Sequence, residues 1–370
     1  KQRRQGAEGI RGDFEAYQER MRQAFSAYRE SYQDAFEAFR GRARKVWQSP
    51  ELTDRRKWVE YSGDLRVQRV VDFGQNQIRL KLPASGNEAD RARAELTDLL
   101  LEDEATAFQR DPVAQEVEKK VSALPVPVEQ GQPGSDLVLG ELFEVAHPDK
   151  REAEAKAEQM VAGAEKTRER VQDSGGDDPW ATVLTIALPE GRAMDKARAY
   201  RERAAKLADE WDVGQALILA VAHTESSFNP QARSHIPAYG LMQIVPESAG
   251  RDASAELFGE PRLLAPSYLY QAENNLKLGA VYLNLLYHRY LADIADPQSR
   301  LYCAIAAYNT GAGNVARVFV DGTDVAAAAR ALQGRSAEAV YRELVNGLPY
   351  EETREYLPRV AKRMQAYRDW

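Results

Sequence analysis

Glu225 closes an apolar helical series. In "VGQALILAVAHTES" the residues Leu217, Ile218, Val221 and Ala222 recur at helical spacing, and Glu225 is the next member. That spacing turns its carboxylate inward, near the C-terminal end of the helix. Unpaired carbonyls there disfavour negative charge, and so does removal from water on an apolar face. Both effects raise the carboxyl pKa, and a group that still holds its proton near neutral pH is what a general acid requires. Asp212 reads as the cap of this helix, with Gln215 three residues on as in a capping box. An inward glutamate alone is more often one half of a structural hydrogen bond or ion pair, so the neighbours decide its meaning.

Those neighbours suit a sugar. In "YGLMQIVPESAG" (239–250) Gly240 lets backbone approach closely, Met242 and the Gln243 amide follow, and Pro246 opens another helix. In "AIAAYNTGAGNV" (304–315) a helix ends at Tyr308 and Asn309, with Gly311 and Gly313 supplying permissive backbone. Amides and phenols grip hydroxyls and N-acetyl groups, while methionine and aromatic faces suit the apolar face of a sugar ring.

The blocks "ESSFNP", "GLMQIVP", "AYNTGAGN" and "LPYEETREYLPRV", in this order, resemble the four motifs of the lysozyme-like lytic transglycosylases, which cleave bacterial murein. The resemblance covers the C-terminal part, and the upstream part matches more loosely. It implies that Glu225 is the catalytic acid, that Ser226 stands beside it, and that Ser234 touches the reacting end of the sugar. It further implies that Met242 and Gln243 line the glycan groove, that Tyr308 and Asn309 belong to the third block, and that Tyr356 points toward the catalytic carboxylate. Thr310 fills a slot where relatives often carry a smaller residue.

A glycosidase usually needs two carboxylates. Between Ser226 and Pro246 there is no Asp or Glu. In the family the sugar's own 6-hydroxyl replaces water, so the resemblance implies a 1,6-anhydromuramyl product with Glu225 as sole acid and base, and neither metal nor cofactor. Two alternatives stand beside it: a hydrolytic muramidase on the same fold, and a non-catalytic murein-binding scaffold. The resemblance also implies glycan strands as partner, a lipid anchor upstream of this segment, a place on the periplasmic face of a Gram-negative outer membrane, and cell-wall protein partners for the N-terminal domain. His223 and Glu225 spell a fragment of the zinc-deaminase signature, but the required cysteine pair is missing and Cys303 is the only cysteine.

These residues need elements to position them. The chain has 370 residues, 44% of them hydrophobic, enough for two or three domains. A net charge of -7 argues against a dedicated nucleic-acid binder, which needs a basic surface to displace counterions. "FEAY", "FSAY" and "FEAF" start at residues 14, 25 and 36, eleven apart, which stacks their aromatics along one stripe of a long helix that something must cover. The period changes to two in "LRVQRVVDF" (65–73) and "QIRLKLP" (77–83), predicting a hairpin with one solvated face. Residues 88–109 return to helical spacing, "LVLGELFEV" (137–145) reads as a strand, residues 150–171 as a charged helix, "GGDDP" as a break, and "WATVLTIALP" as another strand. After "LPEGR" strand signals stop. The expected fold class is α+β: an accessory mixed domain over 1–190, with a long helix and an antiparallel sheet, and an all-helical lysozyme-like domain over 191–370.

Overall fold

A computed structural model describes residues 2–84, 86–173 and 178–370, with side chains from residue 15 onward. Three residues of the expected "GGDDP" break, 175–177, and the side chain of Phe14 lie outside the described residues. The chain opens with α1 (Gln2–Ala43), followed by β1 (Lys57–Tyr61), β2 (Gln68–Asp72) and β3 (Gln77–Pro83). Helices α2 (Glu88–Leu100), α3 (Glu104–Arg110) and α4 (Pro112–Val121) come next, then the short β4 (Val128–Glu129), α5 (Lys150–Ala162), β5 (Glu165–Arg170) and β6 (Trp180–Ala187). The rest is helical apart from the two-residue β7 (Leu263–Leu264). It comprises α6 (Arg192–Trp211), α7 (Gln215–Ser226), α8 (Arg251–Phe258), α9 (Pro266–Leu269), α10 (Ala272–Leu285), α11 (Pro297–Thr310), α12 (Ala312–Ala316), α13 (Val325–Ala331), α14 (Ala337–Gly347) and α15 (Glu351–Tyr367). The fold is α+β, a long helix and an antiparallel sheet followed by helices, as the patterning predicts. Among the described residues no helix is long and apolar enough to cross a membrane.

Packing divides the chain into two compact units, one of residues 1–196 with 226–275, the other of 197–225 with 276–370. The chain passes between them three times, at Lys196–Ala197, at Glu225–Ser226 and at Asn275–Leu276.

In the first unit the sheet runs β1-β2-β3-β6-β5, every neighbour antiparallel. Alternation puts Ile78, Leu80 and Leu82 on one face, where Leu96, Leu99 and Leu100 of α2 and Ala153 and Ala157 of α5 cover them. The other face is not solvated as the hairpin pattern predicts. Gln68, Val70 and Lys81 are buried there. The segment after α1 lies over them: the Lys81 ammonium sits 5.6 Å from the Trp47 ring and 3.3 Å from the Glu51 carboxylate. Alternating polar residues here satisfy one another under cover instead of meeting water.

Two further expectations are corrected. Residues 137–145 form no strand; they hold a 3-10 turn at Gly140–Leu142, and Val138 and Leu139 are apolar because they fill the core as irregular chain. The helix expected over 150–171 stops at Ala162, and 165–170 form β5, an edge strand exposed along nearly its whole length. Its register comes from backbone bonds to β6, so its side chains carry no alternation, and its charges discourage pairing with another chain.

The aromatic stripe of α1 is covered within the same unit. Phe25, Tyr28 and Phe39 are buried, Tyr17 donates to the Pro261 carbonyl at 2.7 Å, and α1 packs along α4. An internal ion triad anchors the start of α6: Glu141 receives Arg192 at 2.7 Å and Lys196 at 3.2 Å, all three nearly free of solvent. Burial opposes the Glu141 charge, but Lys196 and Arg192 outweigh it and hold the carboxyl below its ordinary 4.5. A depressed carboxyl contributes stability that is complete above its unfolded value and is lost as pH falls through its folded value. Urea unfolding across pH should therefore show stability declining below about pH 4.5. Glu141→Gln should cost about 3–5 kcal/mol at neutral pH, because two buried cations lose their partner, and should flatten that acid slope.

Candidate active site

The second unit carries Glu225. Its helix α7 begins at Gln215, and the Gly214 carbonyl accepts the Ile218 amide at 3.1 Å, so Asp212 does not serve as the cap. Asp212 takes a left-handed φ of 48° and places its carboxylate 3.3 Å from His288, while the Gln215 amide donates to the Arg201 carbonyl. The expected capping box fails because this turn bends the chain two residues too early for it.

At the other end of α7, Glu225 is 5% exposed, and the Tyr356 hydroxyl of α15 donates to its Oε1 at 2.7 Å. Tyr356 is itself buried. Tyr308, near the end of α11, stands in the same field: burial first, then the Glu225 charge and Tyr282, push its phenol well above the ordinary 10. Tyr308 thus keeps its proton at every working pH and remains a donor. The Tyr282 and Tyr308 rings lie 5.6 Å apart. Next in sequence, Asn309 accepts from Thr353 at 2.9 Å. Thr353 and Tyr356 are three apart on α15, so a single helix face holds Asn309 and Glu225. His223 Nδ1 lies 2.8 Å from the Tyr367 hydroxyl.

The first unit carries the other predicted residues. Ser226 is fully buried and donates to the Leu241 carbonyl at 2.8 Å. Ser227 and Phe228 then take left-handed φ values of 53° and 59°, ending the helix abruptly. Such conformations cost about 1–3 kcal/mol each and persist where surroundings over-determine them. The buried Arg192 guanidinium holds the Ser227 carbonyl at 3.2 Å. Ser234 is half-buried; its hydroxyl donates to the Ile236 carbonyl and its own carbonyl accepts from Tyr32.

Residues 239–244 form a tight turn closed by reciprocal Tyr239–Ile244 backbone bonds. Met242 is wholly buried. Gln243, 8% exposed and at φ 49°, donates to the Gly240 carbonyl, while its Oε1 has no hydrogen-bond partner among the described residues. The turn is held by Asn275, a residue the sequence reading missed. Its Oδ1 accepts from the Met242 amide at 2.8 Å, and its Nδ2 donates to the carbonyls of Tyr239 and Leu269 at 2.7 and 2.8 Å. Gly240 is required twice, by its φ of 74° and because a Cβ there would stand 2.4 Å from Asn275 Nδ2.

Of the predicted residues, then, the second unit gathers Glu225, Tyr356 and Tyr308 and ties Asn309 to the same helix face. The first joins Ser226, Met242 and Gln243 through one turn, with Ser234 in the adjoining Arg233–Tyr239 bridge. Asn275, Thr353 and Tyr282 were missed. The three-residue spacing of Thr353 and Tyr356 in "EETREY" was a usable signal; nothing local marks Asn275.

Gly240→Ala should lower stability by about 1–3 kcal/mol, from strain and overpacking combined. Asn275→Ala should cost at least as much, because three buried backbone groups lose their partner. Thermal denaturation of both variants checks this, and a change within a few tenths of a kcal/mol would contradict the clamp.

The chain matches the transglycosylase SLT domain family over residues 202–328. It is 40% identical over 205 residues to membrane-bound lytic murein transglycosylase C of Sodalis glossinidius, covering 55% of this chain and 56% of that one. It is 31% identical over 314 residues to the protein of the same name from Pectobacterium atrosepticum, covering 84% of this chain and 82% of that one. Against the first relatives the chain spans about half their length. Among solved structures, lytic transglycosylase Slt of Pseudomonas aeruginosa aligns with a TM-score of 0.36 and 26% identity, over 46% of this chain and 24% of that one. Taken with the extended match to the Pectobacterium protein, the four motifs and the SLT match establish that the chain belongs to the lysozyme-like lytic transglycosylase family.

Proposed function

We propose that this protein cleaves the β-1,4 bond between N-acetylmuramic acid and N-acetylglucosamine in peptidoglycan without water, with Glu225 as the one acid and base. The observation that carries the reading is the buried Glu225 with the Tyr356 hydroxyl on one oxygen. Burial withholds solvent from the charged form, while a phenol donor supports it. Opposed influences of this kind suit a group that must give up a proton and take one back.

In this mechanism Glu225 protonates the glycosidic oxygen as the bond to C1 breaks. The muramic acid 6-hydroxyl closes onto C1 and returns its proton to Glu225, leaving a 1,6-anhydromuramyl end and a free N-acetylglucosamine 4-hydroxyl. Tyr356 orients the carboxyl through Oε1. Tyr308 and Asn309 are assigned to glycan binding, as are Ser234 and Gln243 within the first unit, while the wholly buried Ser226 and Met242 are assigned to holding the turn that presents Gln243. The unsatisfied Gln243 Oε1 suits an N-acetyl N–H. We assign residues 191–370 to the catalytic domain and 1–190 to an accessory domain. The relatives' name, membrane-bound lytic murein transglycosylase C, supports a membrane-associated place in the cell envelope.

Mass spectrometry of murein digests tests the reading. The chain should release anhydromuramyl fragments, and Glu225→Gln should lower turnover by about 10²–10⁴-fold, the usual worth of acid–base catalysis. Reducible muramic acid instead would mark a hydrolytic muramidase, and an inactive parent chain a scaffold. Tyr356→Phe should lower kcat about tenfold to a hundredfold, as expected for losing a hydrogen bond to a charged group.

A further inference from the structure

The first unit encloses a cavity of about 380 Å³ between the end of α1, the edge strand β1 and the junction of α3 with α4. Its size falls within the range of small-molecule sites, about 300–1,000 Å³. Phe39 and Tyr61 form an aromatic wall, their rings 5.5 Å apart at 73°. Three guanidiniums line the space. Arg42 stands exposed over the Phe39 ring and makes no ion pair among the described residues. Arg110 is half exposed while reaching Glu102 at 2.7 Å. Arg233 is buried against Asp111, and its Nε has no hydrogen-bond partner among the described residues.

Against these cations stand one carboxylate, Asp111, and one carboxyl, Glu60. Burial and the neighbouring Glu102 push the Glu60 carboxyl up from its ordinary value, and Arg69 meets it at 2.7 Å. The lining therefore keeps an excess of positive charge and a buried N–H seeking an acceptor, beside an apolar wall. A neutral sugar would use the wall and leave the charge unanswered. A peptide end uses both, its carboxylate on the guanidiniums and its side chain on the aromatics.

We propose that this cavity binds the free carboxylate end of a short peptide, and that in murein it takes the stem peptide while the glycan is handled elsewhere. The cavity's chemistry stands by itself; the identification with stem peptides rests on the murein reading.

Isothermal calorimetry on the full chain tests it, with the murein tripeptide L-alanyl-γ-D-glutamyl-meso-diaminopimelate as probe and the N-acetylglucosamine tetramer as control. The tripeptide should bind with a dissociation constant in the micromolar range and should not be displaced by the tetramer. Gly63 lines the cavity at an ordinary φ, and a Cβ added there meets nothing within 4 Å. Gly63→Phe should therefore weaken tripeptide binding at least tenfold without moving the melting temperature. Arg42→Glu should weaken it comparably and Arg42→Lys much less. No heat at millimolar tripeptide, equal binding by Gly63→Phe, or displacement by the tetramer would each overturn the proposal. Binding needs no turnover and should survive Glu225→Gln. A chain that binds tripeptide without cleaving murein sinks the murein reading and leaves the site; one that cleaves without binding does the reverse.

Discussion

A carboxyl group with almost no access to water must be held by something other than water, and here a phenol holds it at 2.7 Å. The arrangement around Glu225 follows from that constraint. The glutamate lies at the end of α7 because an apolar helix is what can carry a carboxyl into the interior. Tyr356 lies on α15, so a donor from a second helix fixes one oxygen of that carboxyl. Tyr308 keeps its proton under the combined pressure of burial and the nearby carboxylate, so both phenols offer hydrogens and neither competes for one.

A second constraint governs the turn in the other unit. Backbone groups of the turn at Tyr239 and Met242, and the Leu269 carbonyl beside it, are buried, and the Asn275 amide, with one acceptor and two donors, serves all three at once. Close approach of that amide forbids any side chain at residue 240. Glycine and asparagine thus form one device although they stand far apart in the chain. The left-handed residues after α7 belong to the same economy of space, with Arg192 gripping the carbonyl between them.

How much of this was legible depended on whether a residue's role is written in its neighbours. The inward turn of Glu225 follows from four apolar residues at helical spacing, and the hairpin of β2 and β3 from alternation. The 137–145 run misled because an apolar segment says that it is buried, not that it is extended. Strand β5 was invisible because an edge strand needs only backbone pairing, and its all-polar sequence imitates an exposed helix. Asp212 failed as a cap because the chain turns at its left-handed φ of 48° before α7 begins at Gln215, a turn that no local pattern reports. Asn275 escaped for the same reason: its partners are backbone atoms, whose identity leaves no trace in side-chain type.

The central claim is that the glycan attacks itself and water takes no part. Digestion of murein in water enriched in oxygen-18, followed by mass spectrometry of the newly formed muramic acid ends, tests it most directly. Self-attack should leave ends that lack the label and weigh one water less than hydrolysed ends. Muramic acid carrying one oxygen-18 at C1 would contradict it.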